Sequence, residues 1–102
     1  MKINDDNGRL VIDLPAVLDL PVASELRDLL LDLASRDTAA EIAVGGAGVE
    51  RASTAAIQVL LAGAQALKAA SRRLELEAPS EPLITAFRHL GLANDLNRMI
   101  TA

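Results

Sequence analysis

The chain of 102 residues contains no cysteine, no tryptophan and no tyrosine, and only one phenylalanine and one histidine. Without Cys there can be no disulfide and no thiolate zinc site. A single His, His89, leaves no Ser–His or multi-His constellation. Positive charge is also in short supply: ten Lys and Arg stand against 14 Asp and Glu, a net charge of -4. Nucleic-acid binders are usually basic and carry aromatics that stack on bases, so that class is set aside. Long oily runs are missing too. The charge-free run between Arg51 and Lys68 is rich in Ala and holds two Gln, and it is too weakly apolar for a span that needs roughly 17 residues or more. Met1-Lys2-Ile3-Asn4-Asp5-Asp6 lacks the apolar stretch of a secretory signal, so a cytoplasmic protein without membrane insertion is expected. No repeat, linker or low-complexity tail divides the chain, and residues 1–102 are expected to form one domain.

What the chain does hold is Ala (19) and Leu (18), with 51% apolar residues overall, which argues against disorder. The pattern alternates between two periods. Asn7-Gly8 favours a tight hairpin turn between a short strand near Lys2 to Asn4 and a buried strand from Arg9 to Leu14, ended by Pro15. Val17-Leu18-Asp19-Leu20 reads as a short extended segment. From Pro21 to Arg36, Val22, Leu26, Leu29, Leu30 and Leu33 form one helical stripe, with Asp32 one turn from Arg36. Glu41 to Gly45 reads as an interior strand. An Ala-rich helix runs from Ser53-Thr54 to about Ser71, with Ile57, Leu60, Leu61, Ala64 and Leu67 on one side. Leu74 to Ala78 alternates strictly, as a strand with one wet face does. Leu83, Ile84, Phe87 and Leu90 mark a third helix stopped by Gly91, and a short helix is expected from Asn94 to Ile100. Strands alternating with helices imply an α/β fold: a small mixed, mainly parallel sheet of four or five strands with helices packed on it.

Chemistry has few places to reside. Gly45-Gly46-Ala47-Gly48 lies between a strand and a helix, but no Lys-Ser/Thr follows and the spacing fits neither phosphate-binding fingerprint, so it reads as a flexible connection. Glu25, Asp28 and Asp32 read as a solvated helix face. No polar cluster in the sequence marks a pocket, so a small-ligand or lipid-binding domain with a site between sheet and helices stands as the third reading, and neither a cofactor nor a metal is expected. Ser53 and Thr54 stand out because both hydroxyls fall at a helix start. There a Ser or Thr oxygen can accept a first-turn N–H, and a phosphate would meet the positive end of the helix dipole. Charge is also divided. Residues 1–50 carry 4 basic and 10 acidic groups (net -6), and residues 51–102 carry 6 and 4 (net +2).

Laid out in this order, the chain resembles the STAS domain of anti-sigma-factor antagonists over nearly its whole length. Arg9 to Leu14, Leu18-Asp19, and Ala23 with Glu25-Leu26-Arg27 look like that family's first strand, its Leu-Asp step and its first helix. Val49 to Leu61 looks like its loop and second helix, and Leu74 to Leu92 like its last strand and a helix closing on Gly-Leu. The family's motif is an acid, a Ser or Thr, a small residue, a Gly and an apolar residue. Here it reads Ser53-Thr54-Ala55-Ala56-Ile57, with Ser in place of the acid and Ala in place of Gly. The resemblance implies a non-enzymatic, protein-binding regulatory module of bacterial signalling and transcription regulation. Thr54 would be its phosphoacceptor, with Ser53 as the alternative. Ser53, Thr54, Ala55, Ala56 and Gln58 would face the partner, an anti-sigma factor or related ATP-binding Ser/Thr kinase. Ala62 and Ala66 also suit close approach. The run Thr-Ala-Ala-Ile-Gln-Val-Leu-Leu also resembles STAS members outside sigma control. These are the small cytoplasmic subunit of bacterial ABC lipid transporters, whose partner would be a transporter ATPase, and STAS proteins associated with chemotaxis.

Overall fold

A computed structural model describes residues 1–6, 8–36 and 41–100. At the N-terminus β1 (Lys2–Asp6) and β2 (Arg9–Asp13) pair antiparallel, with Asp6 opposite Arg9. A connection of two residues matches the strand twist only if it takes up positive φ, and Gly8 has φ 82. Asn7, the other half of the expected turn, lies outside the described residues. There follow β3 (Val17–Leu18), α1 (Leu20–Ser35), β4 (Glu41–Gly45), β5 (Arg51–Ala52), α2 (Thr54–Ala69), β6 (Leu74–Glu77), α3 (Glu81–His89) and α4 (Ala93–Ile100).

The main sheet has the order β1-β2-β4-β6, and β2, β4 and β6 run parallel. Both crossovers step in one direction across the sheet, so α1 and α2 fall on the same face and pack against each other. Strand register puts Leu10, Ile42 and Leu74 in one row and Ile12, Val44 and Leu76 in another, both beneath the helices. Leu26, Leu30 and Leu33 of α1 and Ile57, Leu60 and Leu67 of α2 meet them, each almost fully buried and each stabilising by roughly 1.5–3 kcal/mol. The expected helical stripes therefore form the core, with Val22, Leu29, Leu61 and Ala64 at its margin. Gly63 lets the two helices approach, since a Cβ there would lie 2.5 Å from Leu30 Cδ1. On α1 the Arg36 guanidinium donates to Asp32 at 2.6 Å, the pairing that their spacing predicts.

The opposite face of the sheet carries Val11, Ala43 and Glu75 in one row and Asp13, Gly45 and Glu77 in the next. Arg9 stretches across it, paired with Glu77, with Glu75 at 3.6 Å and with Glu41 at 3.9 Å. Ala43, small enough to let the guanidinium pass, is only 1% exposed. The wet face expected of the Leu74–Ala78 strand is thus an ion-pair layer.

Three features depart from expectation. Val17 to Leu20 is not one extended segment: β3 ends at Leu18 and Leu20 opens α1, because Asp19 caps the helix with its carboxylate accepting the Val22 N–H at 3.2 Å. Arg51–Ala52, unassigned in the sequence, is β5, which pairs parallel with β3 in a separate two-stranded sheet. Nor is Gly45–Gly48 a flexible connection. The Gly46 N–H donates to Glu77 at 3.0 Å and its carbonyl accepts from Ser80 at 3.1 Å. A Cβ on Gly46 would meet Leu83 Cδ2 at 2.7 Å and the Pro79 backbone at 3.3 Å. Gly46 thus serves close packing against the start of α3, while a Cβ on Gly45 would meet the Asp13 carboxylate at 2.8 Å.

Candidate functional site

The start of α2 is built by the small sheet. Val17 pairs with Arg51 and Leu18 with Ala52, in parallel register. The Glu50 and Arg51 N–H groups both donate to Ala16, at 2.7 and 3.0 Å, and the Ser53 N–H donates to Leu18 at 2.9 Å. Asp19, the cap of α1, and Ser53, the cap of α2, come to line one stretch of surface. Two helices therefore begin side by side, and their positive ends share one edge of the molecule.

Ser53 has extended backbone, and its Oγ accepts the Ala56 N–H at 3.1 Å. It is half-buried, its hydroxyl engaged in the cap. Thr54, the first residue of the helix, is exposed. Ala55 is half-buried against the core, and Gln58 is exposed one turn along. Ala56 is fully buried, which corrects its assignment to a partner-facing surface: its methyl packs inward with Ile57 and Leu60. Of the other alanines proposed for close approach, Ala62 is exposed and Ala66 half-buried.

Beside Thr54 a groove of about 790 Å³ runs between the start of α2 and the outer side of α3. Buried Leu18 and Ile57 give it an apolar floor, with Val17, Pro82 and Leu90 more exposed, while Asp19, Glu50, Arg51, Glu81 and His89 bring charge and hydrogen-bonding groups to its rim. Asp19 was visible in the sequence only as half of a Leu-Asp step, and its place in the groove follows from the β3–β5 pairing. Ser80 holds α3 in position. Its hydroxyl donates to the Val49 carbonyl and accepts the Leu83 N–H, joining the start of α3 to the loop that leads into β5. No group of three or more metal-binding side chains occurs among the described residues.

This arrangement, with an N-terminal hairpin, two parallel crossovers and a Ser-Thr pair opening the second helix, coincides with a family match over residues 1–101, to the family described as "Mlab, STAS domain". The chain belongs to the STAS domain family. The domain also superposes on the solved structure called "Crystal Structure Analysis of Mglu", with a TM-score of 0.66 and 23% identity. The superposition covers 78% of this chain and 20% of that one, so the STAS domain spans about a fifth of the larger chain it resembles. At that identity the likeness concerns the fold. No curated protein matches the chain. Membership of the family makes the STAS domain a small regulatory or protein-interaction module. No helix of the described residues is long and apolar enough to cross a membrane.

Proposed function

We propose that this STAS domain is a cytoplasmic protein-binding module with no reaction of its own, docked through the first turn of α2 and switched by phosphorylation of Thr54. The observation that supports this most is the division of labour between adjacent hydroxyls. Ser53 caps the helix, and Thr54 stands exposed beside the groove. A kinase can reach the exposed Thr54 hydroxyl directly, whereas the Ser53 hydroxyl is half-buried and already accepts the Ala56 N–H. The partner in this reading is an anti-sigma factor or related ATP-binding Ser/Thr kinase, seated on Thr54, Ala55, Gln58 and the groove. A phosphate brings nearly two negative charges to a rim that already holds Asp19, Glu50 and Glu81. Burying it beneath the partner without a new cation to pair it is costly, so the complex dissociates.

The test is to incubate the domain with ATP and a lysate of its source, then map the modification by mass spectrometry. Phosphate on Thr54, lost in Thr54→Ala, is the expected result. A Thr54→Glu variant is expected to bind the captured partner at least tenfold more weakly. Equal binding by Thr54→Glu sinks the charge mechanism.

A second reading is favoured by the family match itself, described by Mlab, and by the Thr-Ala-Ala-Ile-Gln-Val-Leu-Leu run. In this reading the domain is a constitutive subunit of a lipid transporter, holding an ATPase partner through the same surface without modification. Co-purification of unmodified protein with a transporter ATPase, in place of a kinase, selects it.

A further inference from the structure

Among the described residues, Arg51 is the one Lys or Arg that lines the groove beside Thr54. The small sheet fixes its main chain: it pairs with Val17, and its N–H donates to the Ala16 carbonyl at 3.0 Å. Its side chain is exposed. Asp19, Glu50 and Glu81 line the same groove, yet Arg51 makes no ion pair with an acid among the described residues. The guanidinium is thus uncommitted at a rim where carboxylates outnumber it.

The chain also sets its reach. Arg51 stands three positions before Thr54, so their Cα atoms lie at most about 10 Å apart. Both side chains line one groove, and an arginine and a phosphothreonine extended towards each other close that gap. A planar guanidinium donates two parallel N–H bonds to phosphate oxygens, which a neutral groove side chain cannot match.

We infer that Arg51 receives a phosphate placed on Thr54, and that this pairing withdraws the groove's one guanidinium from the docked partner. The inference rests on the reading of Thr54 as the phosphoacceptor. In the transfer, Thr54 Oγ1 bonds to the γ-phosphorus of ATP, the bond from that phosphorus to the bridging oxygen breaks, ADP leaves with the electron pair, and the hydroxyl proton is released. The new phosphate oxygens then accept from Arg51. One guanidinium offsets about half of the phosphate's charge. Before modification a carboxylate of the partner finds Arg51 free. Afterwards it meets Asp19, Glu50, Glu81 and the phosphate with that cation already engaged. Release of the partner therefore follows from a contact withdrawn as well as from charge added.

The full chain carrying phosphothreonine at position 54, installed by codon expansion, tests this without any kinase. Phosphorus NMR follows the second ionisation of the phosphate against pH. Pairing with a cation favours the dianion, so Arg51→Gln is expected to raise the midpoint by about half a unit at low ionic strength, about threefold in ionisation constant. Arg51→Lys is expected to recover part of that shift, and His89→Gln, at the same rim, to leave the midpoint unchanged. The Arg51 Nε–H resonance is expected to move on phosphorylation. An unchanged midpoint in Arg51→Gln overturns the inference, as does a larger shift in His89→Gln. Neither result bears on whether a kinase modifies Thr54, which mapping in the lysate decides, so the two readings fail separately.

Discussion

The Ser53 amide donates to the carbonyl of Leu18 at 2.9 Å, across 35 positions of sequence. That bond ends the two-stranded sheet and sets the start of α2 beside the start of α1. It also leaves the Ser53 hydroxyl free to turn inward on the Ala56 N–H, so that the next side chain, Thr54, points to solvent.

The cap is testable. Ser53→Ala is expected to lower unfolding free energy by about 1 kcal/mol in urea titrations, since one first-turn N–H loses its acceptor. Ser53→Asp, which restores the acid of the family motif, is expected to keep wild-type stability. An alanine variant as stable as wild type shows that the 3.1 Å contact does no capping.

Ala56 provides a second measurement. Restoring the family's glycine removes a fully buried methyl and the better helix former, at a combined cost of about 1–2 kcal/mol. Partner binding is expected to persist once the protein is folded, because position 56 faces the core. A folded Ala56→Gly variant that loses its partner would place that methyl in the interface after all.

Gly63→Ala sets two effects against each other. Helix propensity gains about 1 kcal/mol. The new methyl meets Leu30, not only at the movable Cδ1 but also at Cβ and Cγ, both 3.3 Å away. Crowding of this kind costs about 1–3 kcal/mol, and the net expectation is a lower midpoint in thermal unfolding. A raised midpoint would mean that α1 and α2 separate without penalty.

On the uncovered face of the sheet, Arg9→Met leaves Glu41, Glu75 and Glu77 without their shared cation. A loss of about 1 kcal/mol is expected at low ionic strength, discounted for side chains that are about one-third or more exposed. Added salt screens the remaining carboxylates, so the gap from wild type narrows by about half in roughly 0.5 M NaCl. A gap that salt does not change assigns the loss to packing over Ala43.

Much of this protein was legible in one dimension. The stripe of Leu26, Leu30 and Leu33, the alternation of Leu74 to Glu77 and the turn residue Gly8 each follow from a period or a backbone preference that neighbouring residues dictate. Ser53 and Thr54 could be placed at a helix start for the same reason. Local pattern carries no information on pairing across the chain, however. A strand as short as Arg51–Ala52 has no period to detect and exists only because Val17–Leu18 lies alongside it. The burial of Ala56, the part Asp19 plays in the groove and the packing of Gly46 against Pro79 and Leu83 all depend on such distant neighbours. The same holds for positive charge, scarce and scattered in the sequence. The turn at Ser71 and the return of α4 gather Lys68, Arg72, Arg73 and Arg98 around one cavity, because side chains up to 30 positions apart meet only when the backbone between them folds back.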